Sequence, residues 1–394
     1  MTSSSSFQAV ILTTVALSAL CAGSGTAHAQ FKQTNLVSDI PGLATLTDPS
    51  LINPWGVSFL PGSPIWVSNQ GTNTSNLYPV VGSSGVSPTL FTVNIPPTGG
   101  PGPTGQVANG GMGFDVGMGG NGAPANFIFA NLNGSISAWN GAPSLGQAFT
   151  QTSVANASFT GLAIDQANTM LYAANDAGSG SIDVFNSDFT PNTMLPAGAF
   201  ATPMSISAAG LVPFNVKDIG GNVFVTYALS GHIPQTTATP GDGAVAEFSE
   251  TGTLEGMSTS GADSKLASPW GIALAPMSFG KFGGDLLVGN FAYGQSVINA
   301  FDPTNWAFEG SISIDSGGQP PGGLWSLAFG GDAGSPDDDG NANTLFFTDG
   351  LNSEKDGLFG AITAPEPSTW VMLLLGFGGL GLFAARRRAS NAIG

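Results

Sequence analysis

The sequence predicts an all-β fold, a six-bladed β-propeller of four-stranded antiparallel blades, from three observations. A three-strand pattern recurs six times, turn residues are abundant (58 Gly and 27 Pro in 394 residues), and 26 Phe, 7 Trp and 4 Tyr supply apolar surface for a core. Gly at about twice its usual share beside so many aromatics marks tight turns around a buried interior. Burial is worth about 25 cal/mol per Å2, and only a chain with little to bury stays unfolded.

The first element is an address. Residues 7–20 are apolar and precede Ala27-His28-Ala29, a small-residue cleavage pattern, so residues 1–29 read as a secretory signal peptide cut before Gln30. Its leading residues 1–6 carry no Lys or Arg. The single cysteine, Cys21, falls inside this segment, which leaves the exported chain without disulfides, thiolate metal sites or cysteine catalysis.

The repeats follow, over residues 30–363. Each unit is an apolar strand around a Gly, a strand ending in Asn or Asp, and a strand that starts near Gly and ends in an aromatic. Examples are "PWGVSFL", "IWVSN", "SNLYPV" at the start and "PWGIALA", "LLVGN", "SVINAF" later. First strands marked at Gly56, Gly113, Gly161, Asn215, Gly271 and Ser326 are spaced by 57, 48, 54, 56 and 55 residues. Such intervals leave room for a fourth strand, as in residues 89–95 and 307–315, and four-strand units near 50 residues are the signature of propeller blades. The last unit ends at Thr363 without a fourth strand, while "FKQTNLVSD" (residues 31–39) stands alone before the first. The expectation is that this N-terminal stretch closes the ring as the outer strand of the last blade, removing an exposed edge.

The tail, residues 364–394, is another address. Residues 369–385 are apolar or small, at the short limit for a transmembrane helix, and Arg386, Arg387 and Arg388 hold its end in the cytoplasm, which leaves the propeller outside the cytoplasmic membrane. Pro365-Glu366-Pro367, the apolar run and the Arg cluster together resemble the PEP-CTERM sorting signal of Gram-negative bacteria. The resemblance implies recognition and cleavage by an exosortase, in species that make extracellular polysaccharide. It names the partners as exosortase, the cytoplasmic membrane through the C-terminal helix, and an exopolysaccharide, with release to the cell surface or matrix after cleavage. More widely, "NPWGVSFLPGSPIWVSNQGTN", "SPWGIALAP", "FGGDLLVGNF" and "NTLFFTDGLNSEKDGLFGAI" look like a family of uncharacterised bacterial secreted β-propeller proteins, similar over residues 33–363. That family implies the architecture and no activity.

Charge narrows the ligand. Residues 30–363 hold 24 acidic residues against five Lys and no Arg, a net of −19, which repels phosphate backbones and excludes nucleic acid. Metal cations and neutral polymers such as polysaccharides remain compatible.

Antiparallel blades bring the start of the innermost strand and the end of the second to one rim. Asn53 and Ser268 precede the two Pro-Trp-Gly motifs, and Asn69, Asn131, Asn175, Asn290 and Asp349 end second strands, so a ring of amides and a carboxylate is expected around one mouth. It would suit a sugar or Ca2+, the one cofactor suggested here; the same residues also serve as strand-end caps. A second candidate metal set is Asp337, Asp338, Asp339 and Asn341 in the acidic loop 330–343, expected on the opposite rim; its Gly is misplaced for an EF-hand and no Glu closes it. His232 is the only histidine of the exported chain, in a loop on the rim of the Asn ring, and Trp55, Trp270 and Trp325 read as inner-strand packing. Six-bladed sugar-lactone hydrolases hold a catalytic metal with a Glu at the start of an innermost strand, and no carboxylate occupies those positions here. No residue is assigned a catalytic role. The functional expectation is a non-catalytic binding or matrix protein, and the alternative is a divalent-metal-dependent hydrolase or lyase acting at the rim on a sugar-like substrate.

Overall fold

The computed structural model describes residues 31–365, apart from 89–90, 98–99, 118–119, 121, 142–145, 259–260, 262–263 and 332–338. The signal peptide, the apolar run 369–385 and the Arg cluster lie outside the described residues, as do Glu366 and Pro367. Among the described residues no helix is long and apolar enough to cross a membrane.

Six antiparallel sheets follow one another around an axis, each with its first strand innermost. Blade 1 comprises Pro54–Ser58, Ile65–Asn69, Thr74–Tyr78 and Thr92–Asn94. Blade 2 comprises Pro103–Ala108, Phe127–Asn131, Ser135–Trp139 and Phe149–Ser153, and blade 3 Phe159–Ile164, Met170–Asn175 and Ser181–Asn186. Blade 4 is built from Leu211–Ile219, Asn222–Leu229, Gly243–Ser249 and Leu254–Met257, and blade 5 from Pro269–Leu274, Leu286–Asn290, Val297–Phe301 and Phe308–Ser313. Blade 6 contains Pro321–Phe329, Thr344–Leu351 and Asp356–Thr363.

The ring closes with its beginning. Lys32–Ser38 pairs antiparallel with Asp356–Thr363, from Lys32 opposite Thr363 to Ser38 opposite Leu358, and Leu46–Thr47 adds a fifth, parallel strand outside it. Ser38 donates to the Gly357 carbonyl at 2.7 Å, and Leu36 and Val37 are fully buried against Phe346 and Phe359.

Three features depart from a uniform four-strand repeat. The inner strand of blade 2 is Pro103–Ala108, not the stretch around Gly113. Adjacent inner strands touch through a small residue, and a Cβ at Gly105 would lie 2.3 Å from the Leu162 nitrogen; at Gly56 it would meet the Thr104 carbonyl at 2.6 Å. The Gly113 stretch instead forms the following loop, where Phe114 is buried with φ 61°. Blade 3 has three strands rather than four: the next segment pairs with Ser181–Asn186 only at a bridge between Phe185 and Pro191, where the Asn192 amide donates to the Val184 carbonyl at 2.7 Å, and Pro196 and Pro203 lack the donors to extend it. Blade 6 has five.

The core lies between blades. Phe159 and Phe185 pack with Ile128 and Ile136 between blades 2 and 3, and Tyr172 and Val216 pack with Val225 between blades 3 and 4. Polar links join inner strands: Thr104 Oγ1 donates to the Phe159 carbonyl at 2.7 Å, Asn215 Nδ2 to that of Trp270 at 2.8 Å, and Thr348 Oγ1 to that of Trp55 at 2.7 Å.

Candidate functional site

The Pro-Trp-Gly motifs turn the chain into the centre. Asn53 and Ser268, immediately before them, take left-handed φ values of 47° and 48°, and the following strands aim Trp55 and Trp270 at the axis. There Trp55 stacks on Trp325 (centroids 3.5 Å, 21° between planes), Phe291 stacks on the other side of the cluster at 4.1 Å from Trp325, and Trp270 meets Trp325 edge-on at 5.7 Å. Phe214 completes the plug. The Trp270 indole donates across the axis to the Thr160 carbonyl at 2.9 Å, and the Trp325 indole donates to Asn53 Oδ1 at 2.9 Å.

On this plug, at the rim where inner strands begin, sits a cavity of about 470 Å3. Trp55 and Leu132 contribute apolar surface, and Asn53, Gln70, Asp176, His232, Gln235 and Glu354 contribute polar side chains. Glu354 is held by an unusual turn in which Asn352, Ser353 and Glu354 all have positive φ, 51°, 58° and 64°. Left-handed residues normally occur singly, so three in succession store strain that the surrounding bonds must offset. Those bonds converge on the carboxylate: Asn53 Nδ2 donates to Oε1 at 3.1 Å, Tyr293 OH donates to Oε2 at 2.7 Å, and His232 Nε2 forms an ion pair with Oε2. Glu354 is 10% exposed and His232 61% exposed, so the carboxylate is the anchored member and the imidazole faces the mouth.

The electrostatics follow. Bonding to Glu354 raises the His232 pKa above the ordinary histidine value and outweighs the opposing effect of burial. Burial and the same carboxylate push the Tyr293 phenol above its usual range, keeping it a donor. Burial raises the Asp176 carboxyl, which accepts a bond from Gln235 Nε2 at 3.3 Å. The arrangement offers donors and acceptors side by side above an indole, a surface suited to a hydroxyl-rich ligand.

Of the rim residues expected from the sequence, the structure brings Asn53 into this cavity. Asn175 and Asn290 cap their strands: Asn175 Oδ1 accepts from the Ser158 and Ala177 amides at 3.0 and 3.1 Å, and Asn290 Oδ1 from the Ala267 amide at 3.1 Å. Asn69 and Asn131 are fully buried and bond within their own blades, to Thr74 and Asn76 and to Ser135. Asp349 is 2% exposed, and burial raises its pKa to about 7. In the acidic loop, Asp337 and Asp338 lie outside the described residues. Asp339 is buried with Oδ2 accepting from the Gly62 amide at 2.8 Å, which ties blade 6 to blade 1, and Asn341 lies beside it. Among the described residues no three His, Cys, Asp or Glu side chains gather as a metal site.

Sequence reasoning missed Glu354, Tyr293, Asp176, Gln70 and Gln235. The available signal was the "LNSEKDG" turn, where three non-glycine residues must reverse a tight hairpin, opposite the lone His232 loop.

Fold and site together define an all-β propeller with a blind polar cup on its axis. Residues 363–388 match the PEP-CTERM protein-sorting motif, which marks the chain for export and membrane-associated sorting with processing by exosortase. The sequence is 30% identical over 338 residues to uncharacterized protein R648 of Acanthamoeba polyphaga mimivirus, covering 83% of this chain and 78% of that protein. The chain belongs to the family of that protein. Uncharacterized protein L690 of the same virus is 27% identical over 362 residues, covering 86% of this chain and 87% of its own length. The crystal structure of a structural genomics protein of unknown function from Bacteroides thetaiotaomicron VPI-5482 superposes with a TM-score of 0.50 at 10% identity, covering 85% of this chain and 76% of that one, a likeness of fold alone.

Proposed function

We propose that this chain is an exported, exosortase-sorted binding propeller that holds a neutral, hydroxyl-rich polymer, an exopolysaccharide segment or end, in the cup over Trp55. The observation that carries this reading is the convergence of Asn53, Gln70, Gln235, His232 and Glu354 on one cavity with an indole at its base. Each side chain offers the hydrogen-bonding groups that sugar hydroxyls exchange, and Trp55 and Leu132 add apolar surface to the lining. The acidic exterior favours neutral glycans over anionic ones. In this reading residues 1–29 direct export, residues 369–385 anchor the chain in the cytoplasmic membrane with the propeller outside, and exosortase cleavage releases it into the surface layer.

A hydrolase or lyase acting on a similar substrate is the second reading. The imidazole–carboxylate–phenol chain of His232, Glu354 and Tyr293 favours it, since it pairs a proton carrier with groups that orient it. A glycan array followed by calorimetry on the best hit separates these readings. Binding without new reducing ends or unsaturated sugar supports the first, and turnover supports the second. Glu354→Gln and Gln235→Ala should each weaken binding about tenfold, the cost of about one good hydrogen bond. Unchanged affinity in both variants would place the ligand elsewhere.

A further inference from the structure

The opposite mouth of the ring is chemically unlike the first. All six inner strands end around a cavity of about 360 Å3, walled by residues such as Val57, Val107, Leu162, Ala273 and Leu327. Lys217, near the end of the blade 4 inner strand, lines this apolar pit. No hydrogen bond or ion pair of its amine is found among the described residues, although a chain this acidic has carboxylates in excess. An ammonium in this pit is costly, because the one carboxylate on its wall, Asp218, is engaged by Gln166 Nε2 and the Gly221 amide instead, and desolvation lowers the Lys217 pKa. The amine is thereby shifted toward its neutral, nucleophilic form.

We infer that the pit between the inner-strand ends captures small apolar aldehydes as a Schiff base on Lys217. The Nζ lone pair adds to the carbonyl carbon, and the carbonyl oxygen takes up a proton to give a carbinolamine. Loss of the nitrogen proton and of hydroxide, together as water, then forms the C=N bond; the reaction consumes amine and aldehyde and yields imine and water, with no change of oxidation state. A neutral carbonyl compound is favoured over a carboxylate because an unprotonated amine offers an anion no ion pair. The apolar walls select an aliphatic or aromatic body over a sugar, so this site is independent of the polar cup on the other face.

The test uses the full chain at pH 7 with hexanal and cyanoborohydride, which reduces the imine to a stable amine, followed by intact-mass and peptide mapping. The expected result is a hexyl adduct at Lys217 formed faster than at Lys32, Lys265, Lys281 or Lys355, since a lowered pKa leaves more free amine at pH 7. Lys217→Arg should abolish the fast adduct. Leu274→Asp, at a position 44% exposed on the pit wall, should slow it by restoring a counter-ion while leaving the fold intact. Equal labelling of all five lysines, an undiminished fast adduct in Lys217→Arg, or hexanoate bound at Lys217 without any adduct from hexanal would each overturn the inference.

Discussion

At the residue scale, aromatic and charged side chains differed in how readable they were. Trp55 and Trp270 are recognisable as packing residues because Pro-Trp-Gly recurs at matching points of the repeat, Trp325 because it holds the equivalent place in the last unit, and the structure buries all three. Glu354 carries no such mark: its role arises from a turn of three left-handed residues and from partners at Asn53, His232 and Tyr293, positions up to 301 residues away. Asp349 is a comparable case: expected at a strand end, it lies inside Thr344–Leu351, and its Oδ1 has no hydrogen-bond partner once folded. Its folded pKa of about 7 lies above the ordinary 3.8, so the protonated form favours the fold. Stability from this group is complete below pH 3.8 and is lost as pH rises through 7. Asp349→Asn should therefore stabilise the protein at pH 8 by about 1–3 kcal/mol and change little at pH 4, measured by urea unfolding at the two pH values.

At the element scale, the blades were legible where glycine and strand length recur, and misread where loops imitate strands. "GMGFDVG" has the composition of an inner strand, but the close approach to blade 3 needs Gly105, so the neighbouring stretch takes the place. Proline after Asn186 likewise cancels a strand that the interval alone would allow. The closing strand, by contrast, could be inferred from one orphan segment and one incomplete blade, since each solves the other's unpaired edge. Deleting residues 31–39 should lower the melting temperature sharply in a thermal scan, because Leu36 and Val37 vacate the core and Asp356–Thr363 loses its partner. The closure is also pH-sensitive. Burial, opposed by a bond from the Gly357 amide and assisted by nearby Asp356, raises the Asp39 carboxyl to about 6. Its contribution is present below the unfolded value of 3.8 and is lost as pH rises through 6. Asp39→Asn should flatten the fall in melting temperature between pH 4 and pH 7, read by circular dichroism.

At the scale of the whole molecule, the two addresses and the ring divide the labour. The sorting motif at residues 363–388 begins at the last residue of the final strand, so processing there leaves Asp356–Thr363 and its closing partner paired. Replacing Pro365, Glu366 and Pro367 by Ala should leave the protein in the membrane fraction of an exosortase-bearing host, with no shorter form released, as judged by fractionation and immunoblotting; equal release would separate sorting from this motif. The aromatic stopper has a further effect. With Trp55, Trp270, Trp325, Phe214 and Phe291 filling the bore, nothing threads through the wheel, and the two faces work as dead-ended cups set back to back. On the proposed reading, a polymer held in the polar cup would leave the Lys217 pit on the other face open, so one copy could carry both ligands at once.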